Sequence, residues 1–101
     1  MKKIFLLCSA GMSTSLLVNK IKEAAKKQGL EYDIAATSLA NLKDIKEEAD
    51  VILLAPQVRF DKERVEKEVK DIPVNVVDMT AYGMMDGEKV LNQARKLLGE
   101  L

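Results

Sequence analysis

"IFLLCSAGMSTSLLV", from Ile4 to Val18, joins an apolar run, the only cysteine of the chain, a cluster of small hydroxylated residues and the start of a helical pattern. Lys3 to Leu7 has the length and continuous apolarity of a strand buried on both faces. From Ser13 to Gln28 the period changes: Leu17, Ile21, Ala24 and Ala25 share one helical face, and Lys20, Lys22, Lys26 and Lys27 form a solvated one. Gly29 stands where a helix C-terminal cap belongs. Cys8 therefore lies at the turn of a strand–loop–helix unit.

Outward from this unit the alternation repeats. Tyr32 to Thr37 reads as a second strand, and Leu39 to Ala49 as a short helix with Leu42 and Ile45 facing inward. "DVILLAP" (Asp50 to Pro56) is a buried strand stopped by proline, followed by a "QVRF" loop. Asp61 is placed to cap a helix to about Lys70, with Val65 and Val69 on one face. "IPVNVVD" is the fourth strand, "MTAYGMMDG" a loop, and Glu88 to Leu98 the last helix. Alternating strands and helices require right-handed crossovers and a parallel sheet. The expected fold is α/β: a small doubly wound four-stranded parallel sheet in the order 2-1-3-4, with helices on both faces, spanning residues 1–101 as one domain. Ligands of such sheets sit beyond the carboxyl ends of the strands, at the switch point between strands 1 and 3. That rule gathers Cys8 to Ser15, Pro56 to Phe60 and Met79 to Gly87 at one edge.

Composition narrows the chemistry. Sixteen basic residues balance sixteen acidic ones, so no global field favours nucleic acid, and an anion must be captured locally. No histidine is present, which removes the Cys-His and Ser-His pairs and most zinc sites; neither metal nor cofactor is expected. A single thiol forms no intramolecular disulfide and reads as intracellular. The apolar start is too short for a signal peptide, and no stretch approaches the roughly 20 apolar residues of a membrane span. The expected location is the cytoplasm.

The loop after strand 1 suits phosphate. A helix N-terminus offers unpaired N–H groups and a positive dipole end. In "CSAGMSTS" every residue but Met12 is small, Gly11 has access to positive φ, and Ser9, Ser13, Thr14 and Ser15 add hydroxyls around Cys8. The same field favours a thiolate at Cys8. The structural alternative is a buried cysteine beside ordinary capping residues. Spacing separates the chemistries: Gly11 replaces the second cysteine of C-x-x-C, and no lysine completes a Walker loop. The C-x5-R motif of low-molecular-weight tyrosine phosphatases needs Arg at position 14, where this chain has Thr14. Without a guanidinium clamp, hydrolysis is poorly supported; a carrier needs only the cradle and the thiol.

On "LLCSAGMSTS" (Leu6 to Ser15), "LLAPQVRF" (Leu53 to Phe60) and "AYGMMDG" (Ala81 to Gly87), the whole chain resembles the IIB component of the lactose/cellobiose-type sugar phosphotransferase system. The resemblance implies a fold similar to low-molecular-weight tyrosine phosphatases and a cytosolic phosphocarrier. It implies Cys8 as phosphoacceptor and Ser9, Ala10, Gly11, Met12, Ser13, Thr14 and Ser15 as the phosphate cradle. The phosphoryl group would come from a histidine of a IIA protein and pass to a β-linked disaccharide or glucoside held by the membrane IIC transporter. The alternative is a phosphatase-like hydrolase using Cys8. Gln57 and Arg59 are candidates for contact with a partner or the phosphate, or belong to a solvated loop. Tyr82 and Gly83 are candidates for the site edge, and Met84 and Met85 for an adaptable docking surface or core filling. A carrier that visits two partners in turn is expected to be monomeric or weakly associating.

Overall fold

The computed structural model describes residues 1–9 and 14–101. Four strands form one parallel sheet: β1 (Lys2–Cys8), β2 (Tyr32–Ser38), β3 (Val51–Leu54) and β4 (Val74–Val76), in the order β2-β1-β3-β4. This is the expected 2-1-3-4 topology. Register pairs Cys8 with Ser38 and Leu7 with both Thr37 and Leu54, so the carboxyl ends of β1, β2 and β3 lie level. Between the strands run α1 (Ser15–Lys27), a 3₁₀ turn (Leu39–Asn41) with α2 (Leu42–Ile45), and a 3₁₀ segment (Pro56–Asp61) with α3 (Lys62–Val69); α4 (Met79–Gly83) and α5 (Gly87–Leu97) follow β4.

The sheet divides the core in two, as the period of a strand dictates. Ile4, Leu6, Val51 and Leu53 point to the side of α1 and α5, where they meet Leu17, Ile21, Val90, Leu91 and Ala94. Leu7, Ile52 and Leu54 point to the other side and meet Leu42 and Ile45 of α2 and Val65 and Val69 of α3. Cys8 packs with this second group. Gly29 closes α1 as expected: at φ +71° it lets the Leu30 N–H reach the Ala25 carbonyl at 2.9 Å, while its own N–H reaches Lys26 O at 3.1 Å.

Three local expectations are corrected. The "MTAYGMMDG" segment is not all loop, because Asp78 accepts hydrogen bonds from the Thr80 N–H (2.8 Å) and Ala81 N–H (3.1 Å) and so starts α4. Asp61 precedes α3 but makes no side-chain cap; its carboxylate faces Arg64 Nη2 at 3.6 Å instead. The "QVRF" stretch winds into 3₁₀ turns, which bury Val58 behind Pro56 while Gln57, Arg59 and Phe60 stay outside.

Candidate functional site

The level carboxyl ends of the strands bring Cys8, Ser38, Ala55 and Val77 to one edge, above which α1, the 3₁₀ segment after β3, and α4 begin. Cys8 is the last residue of β1 and is only 1% exposed. Thr14 is fully enclosed and precedes α1, whose first turn closes when the Val18 N–H donates to Thr14 O at 2.9 Å. A threonine in this place normally turns its hydroxyl onto a backbone N–H of the first turn. Here it makes no such cap; the hydroxyl donates to Cys8 Sγ across 3.7 Å. Ser9 and Ser15 flank the pair and are exposed. Ala10, Gly11, Met12 and Ser13, the middle of the expected cradle, lie outside the described residues.

A neighbour that the sequence reading passes over comes from β2. The Ser38 hydroxyl donates to Ser9 O at 3.1 Å and accepts from the Ala40 N–H at 3.2 Å, so it ties the residue after Cys8 to the start of the next turn. Asn41 Nδ2 donates to Thr37 Oγ1 at 3.0 Å and braces the same corner. The signal was present as "TS" at the end of a strand adjacent to strand 1, where hydroxyls meet the functional edge.

The other expected segments arrive at this edge with their side chains otherwise engaged. Arg59 Nη1 donates to Pro56 O at 2.8 Å, and its guanidinium lies 4.4 Å from the centre of the Phe60 ring. Gln57 Nε2 donates to the Tyr82 hydroxyl at 3.2 Å, which joins the segment after β3 to α4. The half-buried Tyr82 ring packs against both halves of the core. Gly83 is exposed, and a Cβ there would meet nothing within 4 Å, so local packing does not require glycine. The two methionines part company: Met84 is 73% exposed, whereas Met85 is half-buried against the α1/α5 core. With Leu16 and Phe60, Met84 leaves apolar surface uncovered on the elements that rise from this edge. Two surface grooves of about 500 and 520 Å³ lie elsewhere, one between α2 and α3 and one along α5, and Cys8 lines neither. Among the described residues no group of three or more His, Cys, Asp or Glu side chains is placed to hold a metal. Nor is any helix among them long and apolar enough to cross a membrane.

Residues 3–93 match the family model of the lactose/cellobiose-specific IIB subunit of the phosphotransferase system. The chain belongs to this family. The oligo-beta-mannoside-specific EIIB component of Bacillus subtilis is 48% identical over 100 residues, 97% of each chain. The galactose-specific EIIB component of Lactococcus lactis is 45% identical over 104 residues, 96% of each. Among solved structures, the cellobiose-specific IIB component from Borrelia burgdorferi superposes with a TM-score of 0.81 at 41% identity, covering 97% of this chain and 92% of that one. A low-molecular-weight protein tyrosine phosphatase from Bacillus subtilis shares the fold at a TM-score of 0.62 and 13% identity, over 97% of each chain. This chain and that phosphatase thus share one architecture.

Proposed function

We propose that residues 1–101 form one phosphocysteine carrier domain, which takes a phosphoryl group from a histidine of a IIA protein onto Cys8. It then yields the group to a β-linked disaccharide or glucoside during uptake through a IIC transporter, working in the cytoplasm. The observation that carries this reading is the Thr14 hydroxyl on Cys8 Sγ at the head of α1, in a chain of the IIB family. In the incoming step the thiolate attacks phosphorus in line, the S–P bond forms, and the P–N bond to the donor imidazole breaks. Ser9 to Ser15 would hold the three equatorial oxygens with backbone N–H groups and hydroxyls at the helix N-terminus, so catalysis is positioning plus charge stabilisation.

A hydrolase reading lacks support at the residue that would decide it. Position 14 is enclosed and holds a hydroxyl, so no guanidinium fork is available there to clamp a phosphorane-like transition state. Leu16, Phe60 and Met84 expose apolar side chains on segments that follow β1, β3 and β4, which suits successive protein partners. The test is intact-mass analysis with phosphorylated IIA protein. The wild-type chain gains one phosphoryl group and Cys8→Ser gains none. A serine variant that labels as fully as wild type would place the acceptor elsewhere.

A further inference from the structure

We infer that Thr14 is a catalytic hydroxyl for the departing sulfur: it stabilises the Cys8 thiolate that remains when the phosphoryl group leaves. Its role rests on Cys8 being the phosphoryl acceptor proposed above and deepens that reading, with a readout of its own. Three observations converge on it. Thr14 is the one buried polar residue of the described chain, with no exposed surface. Its backbone is already helical (φ −97°, ψ −5°), so its side chain makes no cap to α1 and the hydroxyl is left for another acceptor. Its hydroxyl donates to Cys8 Sγ across 3.7 Å, beside a cluster that includes Leu7, Ala55 and Val58.

A hydroxyl so placed discriminates between states of the sulfur. A thiolate is a strong acceptor and gains a charge-assisted hydrogen bond. The sulfur of a phosphocysteine carries no such charge and is a weak acceptor. In the outgoing step the sugar oxygen forms the O–P bond, the S–P bond breaks with its electron pair left on sulfur, and the sugar hydroxyl's proton passes to water. The Thr14 bond therefore strengthens as the S–P bond breaks, which is the requirement for an interaction that speeds a step rather than merely tightening binding. It lowers the basicity of Cys8 and so favours release of the phosphoryl group over retention.

Two ionisable side chains on the segments at this edge have recorded partners. Arg59 of the segment after β3 is on Pro56 O, and Tyr82 of α4 accepts from Gln57. Neither of these contacts involves Thr14.

The experiment follows alkylation of Cys8 by iodoacetamide against pH in the unphosphorylated protein, with thermal melting as the check on folding. Thr14→Val keeps the shape and removes the hydroxyl; Thr14→Ser keeps the hydroxyl and removes the methyl. The expected result is that the midpoint of Thr14→Val rises by about one pH unit or more, while Thr14→Ser stays near wild type. If the valine variant does not fold, Thr14→Ala takes its place. Unchanged midpoints, or equal shifts in the valine and serine variants, overturn the assignment. A second arm loads each protein from phosphorylated IIA and follows transfer back to the unphosphorylated donor. There Thr14→Val should release its phosphoryl group roughly ten- to a hundredfold more slowly. Failure of the wild type to load at Cys8 would sink the carrier reading, whereas a wild-type titration in Thr14→Val would sink this one alone.

Discussion

A methyl group at position 87 would sit 2.3 Å from both the carbonyl carbon and oxygen of Lys20 and 2.7 Å from the Ile21 nitrogen. All three are backbone atoms, so no side chain can turn aside, and α1 and α5 would have to move apart. Gly87 therefore belongs to helix packing, although its position in "AYGMMDG" suggests the site. Propensity alone forecasts a gain from Gly87→Ala, since alanine is about 1 kcal/mol better than glycine in a helix. The contact forecasts a loss, because overpacking costs about 1–3 kcal/mol and rigid neighbours lie at the upper end. The expected outcome is a Tm lower by on the order of 10 °C. A variant that melts higher than wild type would refute the close approach. At this scale the candidate site is only partly legible in sequence. Cys8 can be placed at the carboxyl end of a buried strand because apolar runs mark strands. Which way Thr14 turns its hydroxyl cannot be read, because a threonine before a helix usually caps it, whereas here its backbone is already helical and the hydroxyl meets Cys8 Sγ.

The sheet elements are the most legible, and β4 explains both why and where this stops. "IPVNVVD" reads as a strand from its β-branched residues, but nothing in it says how its free edge is closed. The answer lies 17 residues on, in α5: Gln93 Nε2 donates to Val76 O at 2.6 Å, and Gln93 Oε1 accepts from the Asp78 N–H at 3.1 Å. Asn75 Oδ1 accepts from the Val76 N–H at 2.8 Å. Side-chain amides thus occupy the hydrogen-bonding groups that an edge strand would otherwise offer to another chain. The short elements escape sequence reading for a related reason. Five-residue α4 and the 3₁₀ turns are too brief to show a period, and are fixed by single contacts such as the Asp78 cap. For Gln93→Ala we expect a stability loss of about 1–2 kcal/mol, since Val76 is half-buried, whereas Asp78 is exposed and its N–H can turn to water. We also expect new concentration-dependent association in sedimentation velocity. A variant that sediments as the wild type does up to high concentration would show that the amide does not guard the edge.

Across the whole molecule, charge chemistry that holds the fold and chemistry proposed for the site occupy opposite edges of the sheet. At the amino ends of the strands, the Glu100 carboxylate accepts from the Tyr32 hydroxyl, meets Lys2 Nζ at 3.0 Å and meets Arg95 Nε at 3.3 Å. It thereby ties β1, β2, α5 and the residues after α5 together. Gly99, at φ +78°, directs Glu100 there, with the Glu100 N–H donating to Arg95 O at 2.8 Å. The hydrogen bond from Tyr32, then that from Lys2, holds Glu100 below the usual glutamate range. Burial first, and then Glu100, pushes Tyr32 above the usual tyrosine value. The signs follow from linkage. The stabilisation from ionised Glu100 is present above about pH 4.3 and is lost as pH falls through its lower folded-state value. That from protonated Tyr32 is present below about pH 10 and is lost as pH rises through its higher one. Glu100→Gln should therefore melt below wild type at pH 7 and close the gap on acidification, because only the wild type loses a charge. Cys8, at the far end of β1, is about 20 Å away by strand rise, roughly twice the screening length at 0.1 M salt. Its alkylation midpoint should not move in Glu100→Gln. Melting curves of the two proteins that run parallel from pH 3 to 7 would remove Glu100 as the acid-sensitive tie, and a shifted Cys8 midpoint would mean that the two edges are coupled through the sheet.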